Sequence, residues 1–372
     1  MNQPLRKTRN VIERGMREQL HVGAQLYVSL HGQPVADVAI GQSRPGVAMT
    51  PDTLMLWLSS TKPVGAVAIL QLVEGGKLAL DDLVCDTIPE FASGGKQTVS
   101  VRHLLTHTAG FRWIDTGWPE RTWDEIIAKI CAVKIERGWT PGEKAGYHMF
   151  TSWYILGELV RRIDGRPFSR YVREQIFQPL EMNDSWVGMP PEQYDLYGER
   201  IGLLANTEEA NSAADWRVHR YSSRAGAIDC IPGGNGVGPM RELGRFYEML
   251  LGGGQLAGAR ILDVETVEAM IGRQRQGMFD ETFKHTIDWG WGLIVNSNRH
   301  GIDTVPYGYG PWASESTFGH SGSESSVGFC DAEQGLVVAV VLSGTPGAAR
   351  HDRRMREVCA AIYEDLGLAG TR

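Results

Sequence analysis

Residues 53–76 read TLMLWLSSTKPVGAVAILQLVEGG, an apolar strand-like run followed directly by an apolar helix-like run. The first six residues are typical of a buried strand, and residues 63–73 carry none of the charged side chains of a surface helix. Pro63 suits the first turn of a helix, where its missing N–H would have no partner. The pair Gly75-Gly76 is typical of a helix end. The sequence therefore predicts a buried strand, a tight turn at Ser59 and a buried helix.

Ser59 and Lys62 lie three residues apart at the start of this helix, so their side chains share one face. A serine hydroxyl becomes a strong nucleophile when a neighbour takes its proton, and a lysine can do so if burial lowers its pKa. The helix N-terminus adds positive potential that favours a developing oxyanion. The same S-x-x-K pattern recurs at Ser93 and Lys96, where two intervening glycines predict a solvated turn. Taken alone, Ser59 is equally consistent with a helix N-cap.

Strand signals lie towards both ends of the chain, and helical periods lie between them. Strands are predicted at 24–30, 35–40, 53–58, 290–295, 323–331 and 336–342, and helices at 7–20, 101–106, 123–133, 150–163, 168–176, 240–251 and 348–366, beside the helix after Ser59. We therefore predict an α+β fold, with an antiparallel sheet built from both termini, flanking helices and an inserted, mostly helical lobe. Residues 1–84 with 287–372 are assigned to the sheet domain and 85–286 to the helical domain, with the active site in the cleft between them.

Composition excludes several classes of partner. The 372 residues carry a formal net charge of −7 and contain no run of Lys and Arg, which argues against a nucleic-acid partner. No apolar stretch reaches the roughly 18 residues that cross a membrane. The first twenty residues predict an amphipathic helix and lack the apolar segment of a signal peptide. Together with five scattered cysteines, these features predict a cytoplasmic protein with no membrane partner.

Three further motifs follow the S-x-x-K pattern in order. Residues 104–110 read LLTHTAG, residues 141–147 read PGEKAGY, and residues 319–322 read GHSG. The set resembles the serine β-lactamase and penicillin-binding-protein superfamily, in particular its class C-like branch, over nearly the whole chain. That branch includes family VIII carboxylesterases, D-aminopeptidases and polyketide acyltransferases. The resemblance implies a β-lactamase-like fold and an acyl-enzyme mechanism that uses no cofactor.

The resemblance also implies roles for matched residues. Ser59 would be the nucleophile, with Lys62 as its neighbour in the proton relay. Tyr147 would act as base toward Ser59 and then as acid toward the leaving group. The triplet His320-Ser321-Gly322 would lie on the strand that lines the cleft. The backbone N–H groups of Ser59 and Ser323 would form the oxyanion hole.

Two departures from the family pattern point towards ester chemistry. The usual Y-x-N motif runs Tyr147-His148-Met149 here, so the amide that would hold an acylamino group is missing. The strand triplet begins with His320 in place of lysine, which leaves a weaker charge for a substrate carboxylate. Tryptophans near the motifs, including Trp153, favour an apolar substrate pocket. We therefore expect Met149, Trp153 and the triplet at His320 to contact the substrate.

The sequence thus predicts a serine hydrolase that cleaves a small-molecule ester, with an apolar part, through an acyl-enzyme on Ser59. Three alternatives stay open: an acyltransferase of a biosynthetic pathway, a D-amino-acid amidase, peptidase or weak β-lactamase, and a catalytically silent binding protein. No metal is predicted, because His103 and His107 are spaced i, i+4 but lack a third ligand. Packing or capping is the expected role of those two histidines.

Overall fold

The computed structural model describes residues 5–208 and 219–370. The two predicted domains also include residues 1–4, 209–218 and 371–372, which lie outside the described residues. The α-helical segments α1–α12 are, in chain order, Arg6–Arg17, Lys62–Glu74, Val84–Thr87, Val101–Leu105, Trp123–Ala132, Thr151–Asp164, Phe168–Val172, Pro191–Tyr197, Arg224–Ile228, Met240–Leu251, Val264–Ile271 and Ala348–Asp365. Short 3₁₀ turns occupy Ser59–Thr61, Pro89–Gly95, Gly198–Arg200, Arg220–Ser222 and Asn298–His300, and a π-helical turn occupies Arg173–Phe177. The helices confirm each predicted helical segment to within a few residues.

The strands β1–β15 are Gly23–Leu30, Gln33–Arg44, Val47–Ala48, Met55–Leu58, Trp186–Val187, Gly236–Gly238, Gln255–Leu256, Ala259–Arg260, Phe279–Asp280, His285–Thr286, Asp288–Trp289, Ile294–Val295, Phe318–Gly322, Ser326–Asp331 and Leu336–Leu342. Within the described residues, eight of them form one antiparallel sheet in the order β11-β12-β13-β14-β15-β1-β2-β3. Strand β4 lies at the edge of a smaller sheet, where it pairs with β6. Along the chain it leads directly into the turn at Ser59. The predicted α+β fold is confirmed.

The large sheet joins the two ends of the chain. Strand β1 pairs with β15 in an unbroken antiparallel register from Ala24 opposite Leu342 to Leu30 opposite Leu336. Strand β15 reads LVVAVVL and is buried throughout, as expected of a strand covered on both faces. This pairing confirms that the sheet is built from both termini.

Helices cover both faces of this sheet. Helices α1 and α12 pack together over one face, where Ile12, Val338 and Val358 share a buried apolar cluster. Helix α10 covers the other face against β1, β14 and β15. It lies inside the range assigned to the helical domain, 85–286, yet packs on the sheet. The boundary at residue 287 stays a prediction.

Three local predictions are wrong. Only Ile294–Val295 of the predicted strand 290–295 form a strand, β12, because residues 290–293 form the turn that joins it to β11. The strand predicted at 323–331 begins at Ser326, since residues 323–325 turn and Ser325 N donates to Gly322 O. Lys96, placed in a solvated turn, is buried because its Nζ donates to the carbonyls of Ser93, Cys131 and Val133.

No helix among the described residues combines the length and the apolar character that crossing a bilayer requires.

Close packing of α10 on β1 yields a stability prediction. A Cβ on Gly244 would lie 2.2 Å from Cδ1 of Tyr27, whose hydroxyl donates to Glu248 and fixes the ring. Gly244→Ala should therefore cost about 1–3 kcal/mol by overpacking, against about 1 kcal/mol gained in helix propensity. Chemical denaturation should show a lower free energy of unfolding. Unchanged or increased stability would contradict this packing.

Candidate active site

The turn that carries Ser59 is held in a strained backbone conformation. Leu58, the residue before it, has φ +50° and ψ −132°, a region costly for a residue with a Cβ. The Thr61 hydroxyl donates to Leu58 O at 2.6 Å and accepts from Gly236 N at 2.8 Å. These bonds to Thr61 and strand β6 stabilise the strained conformation of Leu58. Ser59 itself is half-buried at the start of α2 and remains accessible.

A second set of hydroxyl contacts ties this turn to the large sheet. Ser60 Oγ donates to His320 O at 3.0 Å, and Ser326 Oγ donates to Trp57 O at 2.6 Å. A Cβ on Gly322 would lie 2.2 Å from Trp57 O, so only glycine permits this approach of β13 to the turn. Gly322, predicted as a substrate contact, instead packs against backbone. Ser59 is thereby fixed relative to β13.

Lys62 is fully buried, and its amine meets three oxygens. Nζ lies 3.0 Å from Ser59 Oγ, 2.9 Å from Met149 O and 2.7 Å from Gly233 O. The rings of Tyr147 and Trp153 flank it at 5.0 and 5.5 Å. Burial lowers the pKa of this amine well below 10.5, because the surroundings solvate a charge poorly.

Tyr147 reaches the same serine from the other side. Its hydroxyl donates to Ser59 Oγ at 2.8 Å, and its ring lies between those of His107 and Phe283, each with its centroid 4.7 Å away. Burial raises the pKa of Tyr147 well above 10, an effect that the hydrogen bond with Ser59 opposes. Tyr147 is therefore a neutral phenol near pH 7. The predicted trio of Ser59, Lys62 and Tyr147 is brought together.

A cavity of about 240 Å³ opens at Ser59. Its aromatic lining is formed by Tyr147, Phe150, His219, Tyr221, Phe283 and Tyr307. Met149 and Ser323 also line it, and none of its described lining residues is Lys, Arg, Asp or Glu. Trp153, expected to contact the substrate, is fully buried beneath Lys62 and lies outside this lining; the expectation is wrong because α6 turns the indole into the core. Over its described lining, the cavity is mainly apolar and carries no acidic side chain, lysine or arginine.

His320 and Ser321, the first two residues of the predicted strand triplet, lie on β13 and line the cavity. His320 Nδ1 lies 2.8 Å from Ser321 O; since a carbonyl only accepts, Nδ1 carries the proton and donates. Burial, together with the nearby Lys62, lowers the pKa of His320 to about 3. Its Nε2 and Ser321 Oγ have no hydrogen-bond partner among the described residues. His320 thus presents a neutral lone pair, with no fixed charge for a carboxylate.

The sequence pattern missed several residues at this site. Phe283 and Tyr307 lie in a stretch of short strands and turns without periodicity, so no local signal marks them. Tyr307 lines the cavity together with Ser323, whose backbone N–H is an expected oxyanion donor. His107 accepts from His148 N at 3.0 Å through Nδ1, and His103 accepts from Ser100 N at 3.2 Å. Both histidines have the predicted packing and capping contacts.

Among the residues that the structure describes, no cluster of three or more His, Cys, Asp or Glu side chains is arranged to hold a metal ion.

Comparisons with known proteins extend over most of the chain. The family model described as Beta-lactamase matches residues 8–361. The esterase/beta-lactamase LipL of Mycobacterium tuberculosis is 28% identical over 343 residues, which cover 86% of this chain and 76% of that protein. A penicillin-binding protein homolog from Caulobacter crescentus superposes with a TM-score of 0.79 at 29% identity, over 97% of each chain. A family VIII carboxylesterase superposes with a TM-score of 0.79 at 25% identity, over 96% of each chain.

The hydroxyl of Thr61 provides a test of the strained turn. Thr61→Val keeps the shape but leaves Leu58 O and Gly236 N without their partner, which should cost about 1–3 kcal/mol of stability. Hydrolase activity should fall as well, because the Ser59 turn relaxes. Thermal denaturation and initial rates check both effects.

Ser93→Ala is the matched control, since it removes a hydroxyl bonded to Cys131 O away from the cavity lining. It should retain wild-type activity. A Thr61→Val protein with wild-type stability and rate would show that the turn needs no support from Thr61.

Proposed function

The chain belongs to the beta-lactamase family, and from this premise we propose that it is a serine esterase acting through an acyl-enzyme on Ser59. Relatives named esterase and carboxylesterase support a serine hydrolase. The observation that carries the proposal is the position of Ser59 Oγ, 3.0 Å from Lys62 Nζ and 2.8 Å from Tyr147 OH at the wall of an apolar cavity.

In the proposed acylation, Lys62 is the base. A neutral amine has two hydrogens, and the carbonyls of Met149 and Gly233 accept both. Its lone pair then faces Ser59 Oγ and takes the proton as the oxygen attacks the ester carbonyl. Burial lowers the pKa of Lys62 and raises that of Tyr147, which favours the amine over a phenolate as base. This order differs from the one that the family resemblance implies for Tyr147.

Tyr147 supplies the proton for the leaving group. Its phenol already donates to Ser59 Oγ, so it lies next to the oxygen that departs when the tetrahedral intermediate collapses. Tyr147 gives its proton to this oxygen, so the alcohol leaves neutral, and Lys62 passes the proton taken from Ser59 to the tyrosine oxygen. In deacylation, water or an alcohol enters from the cavity and the same proton transfers run in reverse. The backbone N–H groups of Ser59 and Ser323 are the proposed donors to the oxyanion.

The proposed substrate is an uncharged ester with a small apolar acyl group. Burying a carboxylate without a partner is costly, and the described lining offers no cationic side chain and a neutral His320. Aromatic walls favour an apolar group, and about 240 Å³ limits its size. Met149 lines the cavity where an acylamino group would need an amide. These features disfavour peptide and β-lactam carboxylates, and they favour the esterase over the amidase alternative.

Substitution of the trio tests the proposal directly. Ser59→Ala should reduce hydrolysis of p-nitrophenyl butyrate to the uncatalysed background, because the nucleophile is removed. Tyr147→Phe should slow hydrolysis of ethyl butyrate by about 10²–10⁴, the usual contribution of acid–base catalysis, because ethoxide needs a proton to leave. Initial rates, with circular dichroism to verify folding, provide the measurement. A Ser59→Ala protein that keeps its activity would rule out the proposed nucleophile.

The pH dependence of the activity follows from the shifted pKa values of Lys62 and Tyr147. Activity should fall on the acid side as Lys62 takes up a proton, with a midpoint well below 10.5 because burial lowers that pKa. On the alkaline side activity should persist to pH 10, because burial keeps Tyr147 protonated there. The quantity to measure is kcat/KM for ethyl butyrate, corrected for spontaneous hydrolysis. A rate that rises only near pH 10.5, or declines before pH 10, would contradict this assignment.

A further inference from the structure

Tyr147 lies in a segment without helix or strand, and distant residues hold its backbone. Its N–H donates to Asp280 Oδ1 at 3.0 Å, and its carbonyl accepts from Thr282 Oγ1 at 3.0 Å. Two residues earlier, Ala145 O accepts from Glu281 N at 2.9 Å. An irregular segment has no ladder of its own, so these three contacts help to place the phenol, beside the bonds that Gly146 N and His148 N donate to His107. All three come from residues 280–282.

The carboxylate of Asp280 accepts hydrogen bonds from three backbone N–H groups around the site. Besides the N–H of Tyr147, its Oδ1 accepts from Thr282 N at 2.9 Å and Phe283 N at 3.0 Å. Thr282 and Phe283 line the catalytic cavity, and the Phe283 ring packs on Tyr147 with centroids 4.7 Å apart. A single oxygen thus fixes both the phenol and the adjacent cavity wall.

Arg275 holds the other oxygen of the carboxylate. Its Nη2 donates to Asp280 Oδ2 at 3.0 Å, and both side chains are at most 1% exposed. The guanidinium also donates to the carbonyls of Thr106 and Ile287, and it lies over the Trp289 ring at 5.1 Å. Breaking a buried ion pair leaves an uncompensated charge, which strongly disfavours any arrangement that separates Arg275 from Asp280. The pair is therefore a rigid anchor.

We propose that Asp280, held by Arg275, is a positioning residue that sets Tyr147 and the Phe283 wall as one unit for protonation of the leaving group. This inference rests on the proposed esterase function. Asp280 acts through Tyr147, whose hydroxyl needs its 2.8 Å distance to Ser59 Oγ. A displacement of 1 Å at a reacting group can cost about 10²-fold in rate.

The test compares two esters of one acid that differ in leaving group. Ethyl butyrate needs a proton on its departing oxygen, whereas p-nitrophenolate leaves without one. Asp280→Ala should reduce kcat/KM by about 10²-fold on ethyl butyrate and by a clearly smaller factor on p-nitrophenyl butyrate. The ratio of the two values reports the position of Tyr147, and a mere loss of folded protein leaves it unchanged.

Glu158→Gln is the matched control. Glu158 is also a fully buried carboxylate, paired with Arg161 and Arg162 in the helical lobe, and it makes no contact with residues 145–149 or 280–283. It should lower stability while keeping the ratio of the wild type. Thr282→Val removes the hydroxyl bonded to Tyr147 O and leaves the ion pair intact. It should shift the ratio in the same direction as Asp280→Ala, and it serves if that variant does not fold.

The possible outcomes distinguish a failure of the positioning role of Asp280 from a failure of the proposed esterase function. A ratio shifted in Asp280→Ala or Thr282→Val, and unshifted in Glu158→Gln, supports the positioning role. Equal losses on both esters in the folded variants, or no loss, overturn it. A wild-type protein that cleaves neither ester overturns the proposed function itself, before any variant is compared.

Discussion

Burial of the Lys62 amine is the constraint on which the rest of the site depends. The apolar surface of α2 removes water from this group, and a charged amine is then disfavoured unless hydrogen bonds compensate. Carbonyls from two distant segments, at Met149 and Gly233, accept from it. The third direction faces Ser59 Oγ, where the proposed mechanism needs the lone pair of the amine. The helical lobe and the sheet must therefore pack closely for the amine to be satisfied at all. Both the packing of the fold and the proposed chemistry require the Lys62 amine to be buried and bonded to these carbonyls.

The parts that the sequence predicts are those in which local pattern and burial agree. Residues 336–342 are apolar without a break, and they form the buried strand β15 at the middle of the sheet. Residues 240–251 have a helical period and form α10 with the predicted ends. Ser59 and Lys62 meet because a spacing of three on a helix start brings side chains together whatever surrounds them. Tyr147 follows from the order of motifs, which carries family information that spacing lacks.

What escapes prediction depends on contacts between distant segments. Lys96 has a glycine-rich, loop-like neighbourhood, and only the carbonyls at the end of α5 reveal why it is buried. Trp153 follows the tyrosine motif in sequence, but the direction of α6 decides that it supports Lys62 from beneath. Phe283 and Tyr307 reach the cavity from a stretch whose strands are two residues long. Such short strands leave no period to detect, and the N–H of Phe283 is bonded to a side chain, the carboxylate of Asp280.

The state of the Lys62 amine can be measured most directly by nuclear magnetic resonance on protein labelled with ¹³C at the ε-carbon of lysine, with Lys62→Met to assign the signal. The shift of that carbon reports protonation as the pH is varied. The account predicts that this lysine titrates well below 10.5 and is neutral where the enzyme is active. A signal that titrates at or above 10.5 would contradict it, because a charged amine has no lone pair for the proton of Ser59.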